Sequence, residues 1–186
     1  IGARECEIRE ISQADKDNFL EEVHIQGKDK SNIKLGAYYN NELVAIMTFS
    51  LPRLPLGKRK SDIAEYELSR FTVKYKVIGI AGKLFSYFKE HYKFDKIYSY
   101  CDLRWSTGNL YEQLGFKQVS QSTPNYWYII EGQRKHRFNF RKDKLVRDGY
   151  DKNKTEFEIM ESKGIDRIYD CGNLKFITTG VLSFPL

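Results

Sequence analysis

Two stretches of this chain place chemistry-bearing residue types at useful spacings. The run Lys76-Val77-Ile78-Gly79-Ile80-Ala81-Gly82-Lys83 sets glycines and lysines where a helical pattern begins. A glycine-rich turn that opens a helix presents unpaired backbone N–H groups at the positive end of the helix dipole, which is how a pyrophosphate is held. Lys76 and Lys83 would add charge there. The same run also reads as a loop leading into an ordinary amphipathic helix, because Ile80, Leu84, Phe85 and Phe88 recur at helical spacing. Further on, Asp102 falls at the expected carboxyl end of a strand, where sites in α/β proteins gather. It is a candidate base or amine-orienting group, or else a cap for the next loop. Arg104 and Trp105 follow it, and an arginine beside an indole suits a flipped or unpaired base. His24, with Gln26, is a further candidate for proton transfer, although a lone histidine at a helix end also serves as a cap.

The charge of this chain is concentrated. Its formal net charge is +6, and the segment from Glu131 to Arg147 nearly accounts for the excess. There Arg134, Lys135, Arg137, Arg141, Lys142, Lys144 and Arg147 oppose only Glu131 and Asp143. Phe138 and Phe140 interleave with the cations, and Tyr126-Trp127-Tyr128 precede them. Cations that neutralise phosphates beside rings that stack on bases make a nucleic-acid surface. Arg134, Lys135, Arg137, Arg141 and Lys142 are the expected contacts, and a nucleic acid the expected partner. A solvated basic face or contacts to an anionic cofactor would give the same composition. Arg53, Lys58, Arg59 and Lys60 form a second basic cluster.

A length of 186 residues suits one domain with a substantial core, and 15% aromatic residues exclude a disordered chain. No apolar run approaches the roughly 20 residues that cross a bilayer, and the start lacks the apolar stretch of a signal peptide. A cytoplasmic protein without a membrane partner is expected. Cys6, Cys101 and Cys171 are scattered, as are His24, His91 and His136, so neither a disulfide framework nor a metal site is expected. The chain starts at Ile1, which suggests a preceding segment.

The elements that must position these residues follow from periodicity and caps. A strand from Cys6 to Ile11 precedes a helix capped by Ser12 and running to about Val23, with Gly27 ending it. Ile33 to Tyr39 and Leu43 to Ser50 form a hairpin across Asn40-Asn41. Pro52 and Pro55 then begin a basic loop reaching to about Asp62. In the strand Tyr66 to Val73, Tyr66 and Leu68 lie on one face while Phe71 and Val73 have the opposite parity. An extra residue near Ser69-Arg70, a β-bulge, would restore both pairs to one face. A helix over 79 to 92, a strand over 96 to 101, a short helix capped by Ser106 or Thr107 and closed by Gly115, and a strand from Phe116 to about Ser120 come next. Tyr126 to Ile130 reads as a strand, 135 to 142 as a basic strand or hairpin, Thr155 to Lys163 as a helix with a capping box at Thr155 and Glu158, and Asp166 to Phe176 as a strand interrupted by Gly172.

Lys76, Gly79 and Ala81 together with Leu110-Tyr111-Glu112-Gln113-Leu114-Gly115-Phe116 resemble the paired motifs of the GNAT (Gcn5-related N-acetyltransferase) superfamily. Lys76 stands where the family has arginine or glutamine, and Arg104 and Thr107 where it usually has asparagine and alanine. That difference turns the expectation away from small-molecule acetylation. The resemblance implies an α+β, three-layer GNAT-like fold, with a mixed, mostly antiparallel sheet, a splayed parallel strand pair and flanking helices. It also implies a bulge at the splay, an acyl-CoA donor such as acetyl-CoA held by Lys76, Gly79, Ala81, Gly82 and Lys83, and Tyr111 as general acid. One domain over 1–186 is expected, with a basic aromatic extension from about 131.

More narrowly, His24-Ile25-Gln26-Gly27, Met47-Thr48-Phe49, Leu68-Ser69-Arg70-Phe71, Asp102 to Tyr111, Pro124 to Tyr128 and Arg167 to Asn173 resemble phage GNAT-like domains related to Mom-type DNA-modification acyltransferases, often attached to homing-endonuclease-type nucleases. This resemblance implies N-acylation of a nucleobase in DNA. The alternatives are a non-catalytic DNA-binding module targeting an attached upstream nuclease, and a protein or small-molecule N-acetyltransferase.

Overall fold

The computed structural model describes residues 1–52 and 64–180, so the cluster Arg53, Lys58, Arg59 and Lys60 and the loop that carries it lie outside the described residues. The chain forms two compact units. The first comprises Ile1–Cys101, Gly108–Ser120 and the chain from Lys175; the second comprises Asp102–Thr107 and Gln121–Leu174.

The first unit is organised by a sheet of seven strands: β1 (Glu7–Glu10), β2 (Ile33–Tyr39), β3 (Glu42–Ser50), β4 (Glu65–Val73), β5 (Lys96–Asp102), β6 (Lys117–Gln121) and β10 (Asn173–Thr179). Their spatial order is β1-β2-β3-β4-β5-β10-β6. β1 to β4 are antiparallel neighbours, and Asn40 and Asn41 make the β2–β3 turn with positive φ, a region asparagine tolerates. Helices cover both faces. α1 (Gln13–Val23) is capped by Ser12, whose side chain accepts from the Asp15 amide, and its Phe19 and Leu20 pack on Ile46 and Ile11. α2 (Ile80–His91) stacks Phe88 on Phe49 with ring centroids 3.8 Å apart. Ile46 and Phe49 have opposite parity on β3, so the two helices lie on opposite sides of the sheet. This is the mixed, three-layer arrangement that the GNAT resemblance implied.

Two details of this unit open a site. Thr48 of β3 pairs with Arg70 while the next residue, Phe49, pairs with Leu68, so Ser69 is the extra residue of a bulge. The bulge falls where the parity of the strand required it. Just beyond, β4 and β5 run parallel for only three pairs, Glu65 with Lys96, Tyr66 with Ile97 and Glu67 with Tyr98, and then part toward their carboxyl ends.

The second unit holds a three-stranded sheet in the order β8-β7-β9: β7 (Tyr126–Ile130), β8 (Gln133–His136) and β9 (Arg167–Tyr169). α4 (Lys142–Arg147) and α5 (Glu156–Ser162) cover one face, where Tyr128, Leu145, Ile159 and Met160 form the core. The Thr155–Glu158 capping box closes α5 as its sequence predicted. Among the described residues no helix is long and apolar enough to cross a membrane.

Three local expectations are corrected. The short helix α3 is Asn109–Gln113, and its N-cap is Gly108 rather than Ser106 or Thr107. Gly108 has φ +89° and a Cβ there would stand 2.3 Å from the Phe176 ring, so distant packing chose the residue. The basic stretch 135 to 142, expected as a strand or hairpin, is strand only to His136, where β8 ends. His136 accepts the Phe138 amide at its Nδ1, which starts a 3-10 turn over Arg137–Phe140 and leaves Arg141 and Lys142 at the beginning of α4. The strand expected from Asp166 to Phe176 is interrupted at Gly172 as expected, but its two halves lie in different sheets. Gly172, at φ +82° with Ser122 O only 2.4 Å from where a Cβ would be, makes the turn between them.

Candidate functional site

In the first unit, Gly79 is the N-cap of α2 at φ +80°, a backbone state that favours glycine, and it carries no side chain to close the helix end. The first helical bond runs from the Lys83 amide to Gly79 O at 3.1 Å. The amides of Ala81 and Gly82 precede it and have no partner within the helix. An added Cβ on Gly82 would meet nothing within 4 Å. The turn is held from behind by the N-terminal segment: the Ala3 amide donates to Ile78 O at 2.9 Å and the Ile78 amide to Ile1 O at 3.0 Å. Lys83 belongs to this brace. Its Nζ donates to the carbonyls of Ala3 at 3.0 Å and Cys6 at 2.6 Å, so the cation left beside the turn is Lys76, which is exposed.

A cleft of about 390 Å³ opens in front of the turn, lined by Lys76, Gly79, Ala81 and Gly82, by Phe71 and Val73 of β4 beyond the bulge, and by Leu110 of α3. Tyr111 belongs to the same unit. Its ring stacks on Phe176 with centroids 5.0 Å apart, and its hydroxyl lies 3.0 Å from Ser99 Oγ and donates to Tyr100 O at 3.3 Å. Ser99 Oγ in turn reaches Leu68 O at 2.7 Å, so the phenol stands where β4 and β5 part. Burial raises the Tyr111 pKa above that of an ordinary tyrosine. The phenol therefore keeps its proton through neutral pH.

Two residues at this parting escaped the sequence reading. Glu67 closes the last β4–β5 pair, and Tyr98 donates to its Oε2 at 3.4 Å. Arg70, one residue beyond the bulge, donates from Nη1 to Ser69 O at 2.8 Å and from Nε to Gly27 O at 3.4 Å. Both line a second pocket of about 750 Å³ with Ser69, Asp17, Lys28 and Asp29. The bulge itself was the signal, since it re-aims the side chains on either side of it. His24 is the C-cap residue of α1, and its Nδ1 accepts from the Gln26 amide at 3.0 Å. Burial, then the nearby Arg70 charge, lowers its pKa, so it is neutral at pH 7.

In the second unit, Asp102 and Arg104 form a two-point ion pair: Arg104 Nε donates to Asp102 Oδ1 at 3.0 Å and Nη2 to Oδ2 at 2.5 Å. The hydrogen bonds from Arg104 hold the Asp102 carboxyl below the usual carboxylate range. Trp105 is 66% exposed. In this unit guanidinium groups lie over rings, Arg134 over Trp127, Arg137 over Tyr126 and Arg141 over Phe138. Lys135 Nζ donates to Gln133 Oε1, and Lys142 is exposed at the first turn of α4. Beneath them Glu156 Oε1 accepts from the hydroxyls of both Tyr126 and Tyr128, at 2.8 and 2.9 Å.

A bulged strand, a parallel pair that parts beyond it, and a glycine turn opening a helix into the resulting cleft define the fold of the GNAT acetyltransferases. Solved structures bear this out along nearly the whole chain. The ribosomal-protein-S18-alanine N-acetyltransferase of Escherichia coli superposes with a TM-score of 0.54 at 11% identity, covering 97% of this chain and 98% of that one. A GNAT family acetyltransferase from Elizabethkingia anophelis with acetyl-CoA bound gives 0.53 at 16% identity, over 95% and 99% of the two chains. A Bacillus subtilis acetyltransferase in complex with CoA gives 0.52 at 14% identity, over 95% and 98%. At these identities the likeness is one of fold. No protein-family model matches the sequence, and no curated protein matches it either.

Proposed function

We propose that the protein is an acyl-CoA-dependent N-acyltransferase whose acceptor is a nucleobase amine in DNA. The observation that carries the donor half is the cleft at the glycine turn, where unpaired amides meet the parting of β4 and β5. The amides of Ala81 and Gly82 and the Lys76 ammonium would hold a pyrophosphate, and the bare Gly79 lets it approach the backbone. An acyl-CoA bound there supplies the acyl group as a thioester, which passes to the amine as a C–N bond forms and the C–S bond breaks. Tyr111 holds at its hydroxyl the proton that the departing thiolate takes up. Glu67 is the carboxylate at the parting that accepts the proton leaving the amine. Asp102, fixed in its pair with Arg104, keeps that guanidinium in place rather than cycling a proton.

The DNA half rests on the second unit, where guanidinium groups lie on exposed or half-exposed rings and continue into the cations of α4. Two measurements test the proposal. Calorimetry with acetyl-CoA should show micromolar binding. Mass spectrometry of nucleosides from DNA incubated with the protein and acyl-CoA donors should show an acylated base. Salt-dependent DNA binding without CoA binding or any adduct would leave a DNA-binding module instead.

A further inference from the structure

The sheet of the second unit has one face that no helix of that unit covers. Tyr126, Tyr128 and Ile130 of β7 point to α4 and α5 and join their core, so strand alternation turns Trp127 and Ile129 to the opposite side. Register fills in the rest of that side. Trp127 is paired with His136 on β8 and with Ile168 on β9, and Ile129 with Arg134. The side chains confirm the placement: the Trp127 and His136 rings meet edge to face at 6.0 Å, and Arg134 Cζ stands 5.4 Å over the Trp127 ring. Ile168 is 45% exposed, a branched apolar side chain left in water beside an indole.

An indole on a central strand, flanked by a cation, an imidazole and an aliphatic side chain, is a flat surface on which a planar, negatively charged polymer can lie. The charge fits that occupant. On this face Arg134 stands over the indole beside His136, and Gln133–His136 of β8 carry it on the strand next to β7. Shape then decides which form of nucleic acid it takes. A duplex keeps the faces of its bases inside the stack, and reading it by its major groove needs a helix or ribbon that protrudes. The helices of this unit, six and seven residues long, lie on the other side of the sheet. A base can stack on a flat sheet only when it is unpaired.

We infer that the Trp127 face is a platform for single-stranded DNA, on which an unpaired base stacks against the indole while Arg134 neutralises its phosphate. The inference rests on the DNA reading above and narrows it: the acceptor base is presented unpaired, with its amine free of a Watson–Crick partner. The chain has two tryptophans, Trp105 and Trp127, so the difference in emission between the unaltered protein and its Trp127→Phe variant isolates the Trp127 signal with Trp105 left in place. A twelve-residue oligothymidylate should quench that signal, and a duplex of the same length should not. Trp127→Leu, which keeps an apolar side chain, should weaken single-strand binding about 10-fold, as expected for loss of one stacked base, and Trp127→Phe should restore most of it. Equal circular dichroism and thermal midpoints would establish that both variants fold. Equal affinity for duplex and single strand, with no loss in Trp127→Leu, would overturn the platform while leaving DNA binding in place. No binding of either form would overturn the DNA reading itself.

Discussion

The two units of this chain present polar groups of different kinds. In the first, the groups that face the cleft are mostly backbone: the amides of Ala81 and Gly82 at an uncapped helix start, braced by the N-terminal segment through Ile78 and Lys83. In the second, they are side chains, guanidinium groups resting on rings, while the helix start at Thr155 is closed by its own capping box. Backbone amides in a fixed turn suit one anion of fixed shape, whereas cations on long stems tolerate a polymer in many registers.

The sharpest way to break this contrast is Gly79→Asp. It places a carboxylate where the pyrophosphate would lie and forces an L side chain to φ +80°. CoA binding should fall below detection by calorimetry, with DNA affinity unchanged. A folded variant that still binds CoA would remove the helix start from the site. Next in size, Tyr111→Phe keeps the ring on Phe176 and deletes only the acid. Turnover should drop by about two orders of magnitude or more, the usual contribution of a positioned acid, while CoA and DNA titrations stay as they were. Because burial raises the Tyr111 pKa, the acid should stay protonated through the ordinary tyrosine range, so steady-state rates should show no loss of it between pH 7 and about 10.

A smaller effect tests the second unit. Arg137→Ala with Arg141→Ala should weaken DNA binding for all sequences and lower the salt dependence by about one to two units, because about 0.9 of a counterion is released per phosphate contact. Fluorescence anisotropy at several salt concentrations measures this, and CoA binding should not move. The smallest effect concerns Asp102. Its folded pKa is depressed by Arg104, so the stability it contributes is present above the ordinary carboxylate range and is lost as pH falls through and below it. For a pair this near the surface the contribution is about 1 kcal/mol or less. Asp102→Asn should flatten the acid limb of a thermal-melt series by that amount.

The same contrast explains what could be read from the residues alone. The bulge at Ser69 was legible because a buried face imposes parity, and parity is written locally in Tyr66, Leu68, Phe71 and Val73. The glycine turn and the capping box at Thr155 were legible because caps act over three or four residues. Gly108 was not, since the reason for a glycine there is the Phe176 ring, which lies far along the sequence. Nor was the end of β8, because Ser, Thr and Asp are the familiar caps and the turn at Arg137 is instead started by His136 Nδ1. Glu67 and Arg70 were overlooked for a related reason. Each is an ordinary charged residue on a strand until the bulge and the short β4–β5 pairing turn it into the wall of a pocket.

The strand order β5-β10-β6 has a consequence for how the molecule is made. Among the described strands β10 is the last to be synthesised, yet it sits between β5 and β6, both made well before it. Until Asn173–Thr179 emerges, the sheet of the first unit presents an open edge at β5, with no partner for its free amides and carbonyls. The nascent protein must carry that unsealed edge through synthesis of the whole second unit. Ribosome stalling or truncation anywhere before β10 would therefore leave an adhesive, aggregation-prone product.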